Sequence, residues 1–201
     1  MIIYMCDMKD IFSHTIVITN RNLVKGDYLE QLKRVVSFEP YAMILREKDL
    51  SDEEYAVVFR EVVNICKDSK TILFMHSKLE EAYKCGYDSV HLSFSDIAEL
   101  GKYRANFKNI SVSCHSLDDV KMAIAEGATQ IVLGTIFETE CKKGLKGKGI
   151  EFLKEICIYC KENGNIPVYA IGGIKPDNMR DIIKAGANGG CMMSYMMTIA
   201  H

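Results

Sequence analysis

A chain of 201 residues with 25 basic and 27 acidic side chains is close to neutral and long enough for one domain with a large core; no linker composition divides it. Its basic residues are dispersed and it has no Trp and no RNA- or DNA-reading motif, which argues against a nucleic-acid partner. The longest apolar runs are strand length, far short of the roughly 20 residues that cross a bilayer, and no basic, hydrophobic leader opens the chain, so no membrane is expected and the protein reads as cytoplasmic.

Residues 1–13 mix Met1-Ile2-Ile3-Tyr4 with Asp7, Lys9 and Asp10 and read as an N-terminal extension, strand or helix, ahead of a single domain over 14–201. From Thr15 the apolar run Thr15-Ile16-Val17-Ile18-Thr19 predicts a strand, and Asp27 precedes a helix to about Ser37. The pattern then recurs. Tyr41–Leu45 is the second strand, and Ser51-Asp52-Glu53-Glu54 is a capping box that opens a helix to about Cys66. Thr71–Met75 ends at His76-Ser77 before a helix over Leu79–Cys85. Ser89–Leu92 ends at Ser93-Phe94-Ser95-Asp96, with a helix expected to about Asn106. Ile110–Cys114 ends at His115, and Ser116 caps a helix stopping near Gly127.

Gln130–Gly134 is the sixth strand. A long loop follows, with Thr135, Thr139, Lys142, Lys143, Lys146 and Lys148 among glycines 144, 147 and 149, and the sixth helix runs from Ile150 to about Glu162. Pro167–Ile171 ends at Gly172-Gly173, Asn178 opens the seventh helix, and the eighth strand ends at Ser194. Eight apolar strands alternating with amphipathic helices require parallel pairing through right-handed crossovers. The expected fold is therefore α/β, a single (β/α)8 TIM barrel. A doubly wound open sheet is the rival, but Asn20–Gly26 carries no glycine-rich fingerprint. Only seven residues follow Ser194, so the eighth helix should be short or missing, its place covered by the N-terminal segment or by a second subunit in a homodimer. Eight scattered cysteines read as reduced core thiols, and Cys157-x-x-Cys160 as helix packing rather than a zinc site.

In such a barrel chemistry sits at the C-terminal ends of the strands. Those positions hold Arg46, Glu47, Lys48, His76, Ser77, Asp96, Ser113, His115, Thr135, Thr139, Lys142, Gly172, Gly173 and Ser194. The basic, glycine-bearing loop after strand six suits an anion, although such a loop is more often a solvated surface. Gly172, Gly173 and Ser194 offer backbone N–H groups for a phosphate; the bland alternative is a chain reversal alone. His115 follows its strand directly and can take and return a proton near neutral pH, against the plainer role of bonding a backbone carbonyl. His91 lies within a strand and reads as structural. Arg46 can clamp a carboxylate or phosphate with Glu47 holding it, or belong to a solvated charge cluster.

With these residues in view the chain resembles the thiamine phosphate synthase and TenI superfamily over nearly all of its length after residue 14. Leu45-Arg46-Glu47-Lys48-Asp49-Leu50-Ser51, Ser89-Val90-His91-Leu92, Ser113-Cys114-His115-Ser116-Leu117, Gly134-Thr135-Ile136-Phe137-Glu138-Thr139 and Ala170-Ile171-Gly172-Gly173-Ile174 carry the likeness. The synthases join a pyrimidine diphosphate to a thiazole phosphate on Mg2+, held by an Asp of an Asn-Asp pair after strand three and another Asp after strand four. Here the pair reads His76-Ser77, Asp96 survives, and the Gln two residues before the Arg is Ile44. The loop Phe137 to Gly149 looks instead like that of the TenI-type thiazole tautomerases, which need no metal.

That resemblance implies an isomerase that aromatises a thiazole carboxylate phosphate, with His115 catalytic and no cofactor. It implies substrate contacts at Arg46, Lys48, His76, Ser113, Thr139, Cys141, Lys142, Gly172, Gly173 and Ser194. The alternative is a thiamine phosphate synthase keeping Mg2+ at Asp96; a second is a non-catalytic regulator that binds the phosphorylated thiazole.

Overall fold

The computed structural model describes residues 2–139 and 146–199, with side chains from residue 8 onward. Eight strands follow one another in chain order around a closed barrel: β1 (Thr15–Ile18), β2 (Ala42–Leu45), β3 (Ile72–His76), β4 (Ser89–Leu92), β5 (Asn109–Cys114), β6 (Gln130–Gly134), β7 (Val168–Ile171) and β8 (Gly189–Met192). This is the α/β barrel that the alternating pattern predicts. The strands are buried at nearly every position, as a parallel sheet covered on both faces must be. Among the described residues no helix is long and apolar enough to cross a membrane. The chain forms two compact units, one holding the segment up to Met75 together with that from Met192 on, the other running His76–Cys191.

In the first unit β1 pairs with β2 through Ile16↔Ala42 to Ile18↔Ile44, and β2 with β3 through Ala42↔Ile72 to Leu45↔Met75. The N-terminal extension is a helix, α1 (Ile2–Ser13). Its Phe12 ring lies 5.0 Å from that of Phe38 and its carbonyl accepts from Tyr41 N–H at 3.3 Å, so the helix is tied to the start of β2. Helix α2 (Tyr28–Ser37) begins where the Asp27 carboxylate accepts from Glu30 N–H and buries Leu32, Val35 and Val36 at helical spacing. Helix α3 (Asp52–Cys66) opens on the Ser51–Glu54 capping box and buries Tyr55, Phe59, Val62 and Cys66 along one stripe. The eighth helix is short, α8 (Ser194–Thr198). The buried Gln31 amide on α2 holds its C-terminal end, donating to Met196 and Ile199 carbonyls at 2.9 and 3.3 Å.

In the second unit β4, β5, β6, β7 and β8 pair in parallel sequence. They alternate with α4 (Leu79–Lys84), α5 (Leu117–Ala125), α6 (Gly149–Glu162) and α7 (Met179–Lys184), except between β4 and β5. There the expected helix is replaced by 3-10 turns at Phe94–Lys102 and Arg104–Asn106. The reason is spacing. Phe94, Ile97, Leu100 and Tyr103 recur every third residue, which lines up on a three-residue turn, and Ile97 and Leu100 are buried. Cys157 and Cys160 are buried on α6, where burial pushes their thiols up to about 12 and about 11. They pack as unreactive thiols.

Candidate active site

Strand alternation sets the site on β5. Ser111, Ser113 and the residue two beyond, His115, share a face, and exposure rises along them from buried through half-buried to exposed. His115 is held at three points. Its backbone N–H donates to Asp119 Oδ2 at 2.7 Å, its carbonyl accepts from Lys148 Nζ, and its ring Nδ1 lies 2.8 Å from the Gly134 carbonyl. A carbonyl only accepts, so Nδ1 carries a proton, and in the neutral ring the lone pair lies on Nε2. Asp119 also closes the capping box of α5 with Ser116. Burial raises its carboxyl, but the Ser116 hydroxyl and the backbone N–H groups of His115 and Ser116 outweigh that and hold it below the usual carboxylate range.

Gly134, which receives the imidazole, ends β6, and the loop that follows it is stitched to β7. Ile136 N–H donates to the Ile171 carbonyl at 2.9 Å and Phe137 N–H to the Gly172 carbonyl at 3.1 Å. Gly172 takes φ +101, and a Cβ there would stand 2.5 Å from Thr135 Cγ2; at Gly173 one would stand 2.8 Å from the Glu138 carbonyl and from Phe137 Cβ. The glycine pair expected to cradle phosphate thus has a packing reason of its own. Lys148 N–H and Gly149 N–H return the far end of the loop to the Thr135 and Ile136 carbonyls. Thr139 is half-buried at the edge of the described residues, and Cys141 and Lys142 lie outside them.

The ends of β3 and β4 hold the residues read against a metal site. Ser77 sits at φ +50, its N–H donating to the His91 carbonyl at 2.9 Å. Its hydroxyl donates to Asp96 Oδ2 at 2.5 Å and Ser95 donates to Oδ1 at 2.8 Å, so both oxygens of the one carboxylate take hydroxyl protons. Among the described residues no three His, Cys, Asp or Glu side chains are grouped to hold a metal ion. Among the described residues, one carboxylate engaged by two hydroxyls does not fit the paired-carboxylate Mg2+ site that the resemblance implies for a synthase. His76, buried, places its ring 5.5 Å from that of buried His91, whose Nε2 lies 3.0 Å from Ser113 Oγ. His76, His91 and Ser113 are therefore brought together.

In the first unit Glu47 is engaged away from Arg46, so of the two readings of this charge cluster the one in which Glu47 holds Arg46 fails. Its carboxylate accepts from Thr19 Oγ1 at 2.6 Å, Tyr28 OH at 2.8 Å and Arg21 N–H at 3.1 Å, and the Arg21 guanidinium pairs with Asp49 at 2.6 Å. Neighbouring residues at a strand end face opposite ways, so Glu47 turns to the β1 end. Burial first, and then the Glu47 charge, pushes the Tyr28 hydroxyl far above its usual value, keeping it a donor. Arg46 is half-buried, its N–H donating to Thr19 Oγ1 at 2.9 Å; Lys48 is exposed, and Ser194 is exposed at the start of α8. Gln130, Ser111 and the bond of Lys148 to His115 enter only with the fold. Only Lys148 gave a local signal, as a cation in the loop.

The family model described as thiamine monophosphate synthase matches residues 15–196. A relative in Aquifex aeolicus, named provisionally thiamine-phosphate synthase 2, is 34% identical over 173 residues, covering 86% of this chain and 91% of that protein. The thiamine-phosphate synthase of Bacillus velezensis is 28% identical over 193 residues, covering 93% and 84%. Among solved structures, thiamine phosphate pyrophosphorylase from Pyrococcus furiosus superposes with a TM-score of 0.79 at 26% identity, covering 96% of this chain and 90% of that one.

Proposed function

The chain belongs to the thiamine monophosphate synthase family, and from that premise we propose that it is a metal-independent tautomerase acting on a phosphorylated thiazole carboxylate, with His115 carrying the proton. The observation that carries this reading is the His115 ring, whose Nδ1 is bonded to the Gly134 carbonyl at 2.8 Å; in the neutral ring this makes Nε2 the base.

Nε2 takes the proton from ring C2 of the non-aromatic tautomer. The electron pair left behind closes the aromatic ring as the exocyclic double bond shifts, and the same Nε2–H returns its proton to the exocyclic carbon. Substrate and product have the same atoms. Aromatisation supplies the driving force, so the protein contributes position and a base, worth about 10²- to 10⁴-fold for the proton transfer. By the same proposal Gly172, Gly173 and Ser194 contact phosphate, Thr139, Cys141 and Lys142 the carboxylate end, and Arg46, Lys48, His76 and Ser113 other polar groups of the substrate.

The second reading is the coupling of hydroxymethylpyrimidine diphosphate to thiazole phosphate. The names of the relatives favour it, since those reported above are called synthases or a pyrophosphorylase. The donor set at Asp96 speaks against it. Both reactions should be assayed on one preparation, with and without EDTA, for the wild type and His115→Gln. Tautomer turnover that survives EDTA and collapses in the variant is the expected result. Coupling abolished by EDTA, without tautomer turnover, would install the synthase; tight binding of thiazole phosphate with neither reaction would leave a regulator.

A further inference from the structure

Beneath Ser113 the second unit holds polar side chains that the proposed proton shift does not use. Gln130 is 3% exposed, Ser111 0% and His91 3%, whereas Ser113 above them is half-buried. Such groups are costly inside a core unless each is hydrogen-bonded, and here they are joined in a line. The Gln130 amide Nε2 donates to Ser111 Oγ at 3.0 Å, Ser111 Oγ lies 2.8 Å from His91 Nδ1, and His91 Nε2 lies 3.0 Å from Ser113 Oγ.

An amide N–H can only donate, and this fixes the sense of the line. Ser111 Oγ accepts from Gln130, and its own proton has the Nδ1 lone pair at hydrogen-bond distance. A neutral imidazole that accepts at Nδ1 carries its proton on Nε2 and donates it to Ser113 Oγ. Were the line reversed, Ser111 would accept from Gln130 and His91 at once, and its own proton would need a further acceptor. Head-to-tail order also lets each bond polarise the next.

We propose that Gln130 heads a one-way hydrogen-bond chain that locks His91 in its Nε2–H tautomer, so that Ser113 accepts from His91 and offers its own proton to an acceptor on the substrate. Gln130 and His91 are positioning residues, and Ser113 is the group that touches the ligand. That the acceptor belongs to a thiazole phosphate rests on the function proposed above; the tautomer of His91 does not.

The test is nitrogen NMR of the resting protein labelled at histidine, with the His91 signals assigned by their loss in His91→Gln. The expected spectrum has the proton on Nε2. Gln130→Met, close in shape but without the amide, should give a mixture of tautomers and weaken thiazole phosphate binding by calorimetry about three- to tenfold, the worth of one neutral hydrogen bond. A proton on Nδ1 in the wild type overturns the proposal, and this spectrum decides it even if the variant does not fold. An unchanged tautomer and affinity in Gln130→Met overturns it as well. If the tautomer is as expected but neither family reaction is turned over, the function fails and the chain stands.

Discussion

The ends of β5 and β2 both gather polar side chains where a strand gives way to a loop, and they use them in opposite ways. At the end of β2 the scaffold consumes the carboxylate: Glu47 is 4% exposed and accepts from Thr19, Tyr28 and Arg21. At the end of β5 the scaffold fixes His115 through its N–H, its carbonyl and one ring nitrogen, and among the described residues none takes up the other nitrogen. Charge density is therefore a poor guide to chemistry. What marks a reactive group is the hydrogen-bonding capacity left over after the fold has taken its share.

Substitutions at the two places should fail differently. His115→Gln should lower turnover of the thiazole tautomer about 10²- to 10⁴-fold while the thermal midpoint by circular dichroism stays close to the wild type; an unfolded variant would make the two strand ends alike. Glu47→Gln should instead cost about 1.5–3 kcal/mol of stability in urea denaturation, because it removes the charge from hydrogen bonds made by three partners. Gly172→Ala meets both a positive φ and Thr135 Cγ2, and should cost about 1–3 kcal/mol on the same assay. A neutral result there would mean that the loop after β6 can move away from β7.

The smallest effect concerns pH. Asp119 is held below the unfolded carboxylate value, so its contribution is fully present above roughly pH 3.9 and is lost as pH falls through the lower, folded value. Comparing thermal midpoints of wild type and Asp119→Asn from neutral to acid pH should show a gap that narrows on acidification. After solvent screening it should stay under about 1 kcal/mol. A gap that widened toward acid would reverse the assignment.

Strands, caps and the eightfold alternation were legible because each is written in neighbouring residues: Ser51 with Glu54, Asp27 with Glu30, and the apolar runs themselves. The three-residue spacing of Phe94, Ile97 and Leu100 is equally present, but an α-helix also places such residues close to one face, so the spacing alone does not separate the two. What stayed hidden depends on residues that meet only after folding. Glu47 meets Thr19 across 28 positions, and Gln130 meets Ser111 across 19, so no local pattern announces either bond. Gly172 and Gly173 invited a ligand reading because a sequence shows that a side chain is missing, but not that Thr135 and Phe137 occupy the space. His115 was found because strand end, cap and residue type coincide at one point.

A crystal soaked with thiazole carboxylate phosphate tests most directly whether that coincidence is the catalytic group. Nε2 of His115 should stand within hydrogen-bond reach of the thiazole ring, with Nδ1 still on the Gly134 carbonyl. A ring bound while His115 is turned away from it would contradict the mechanism.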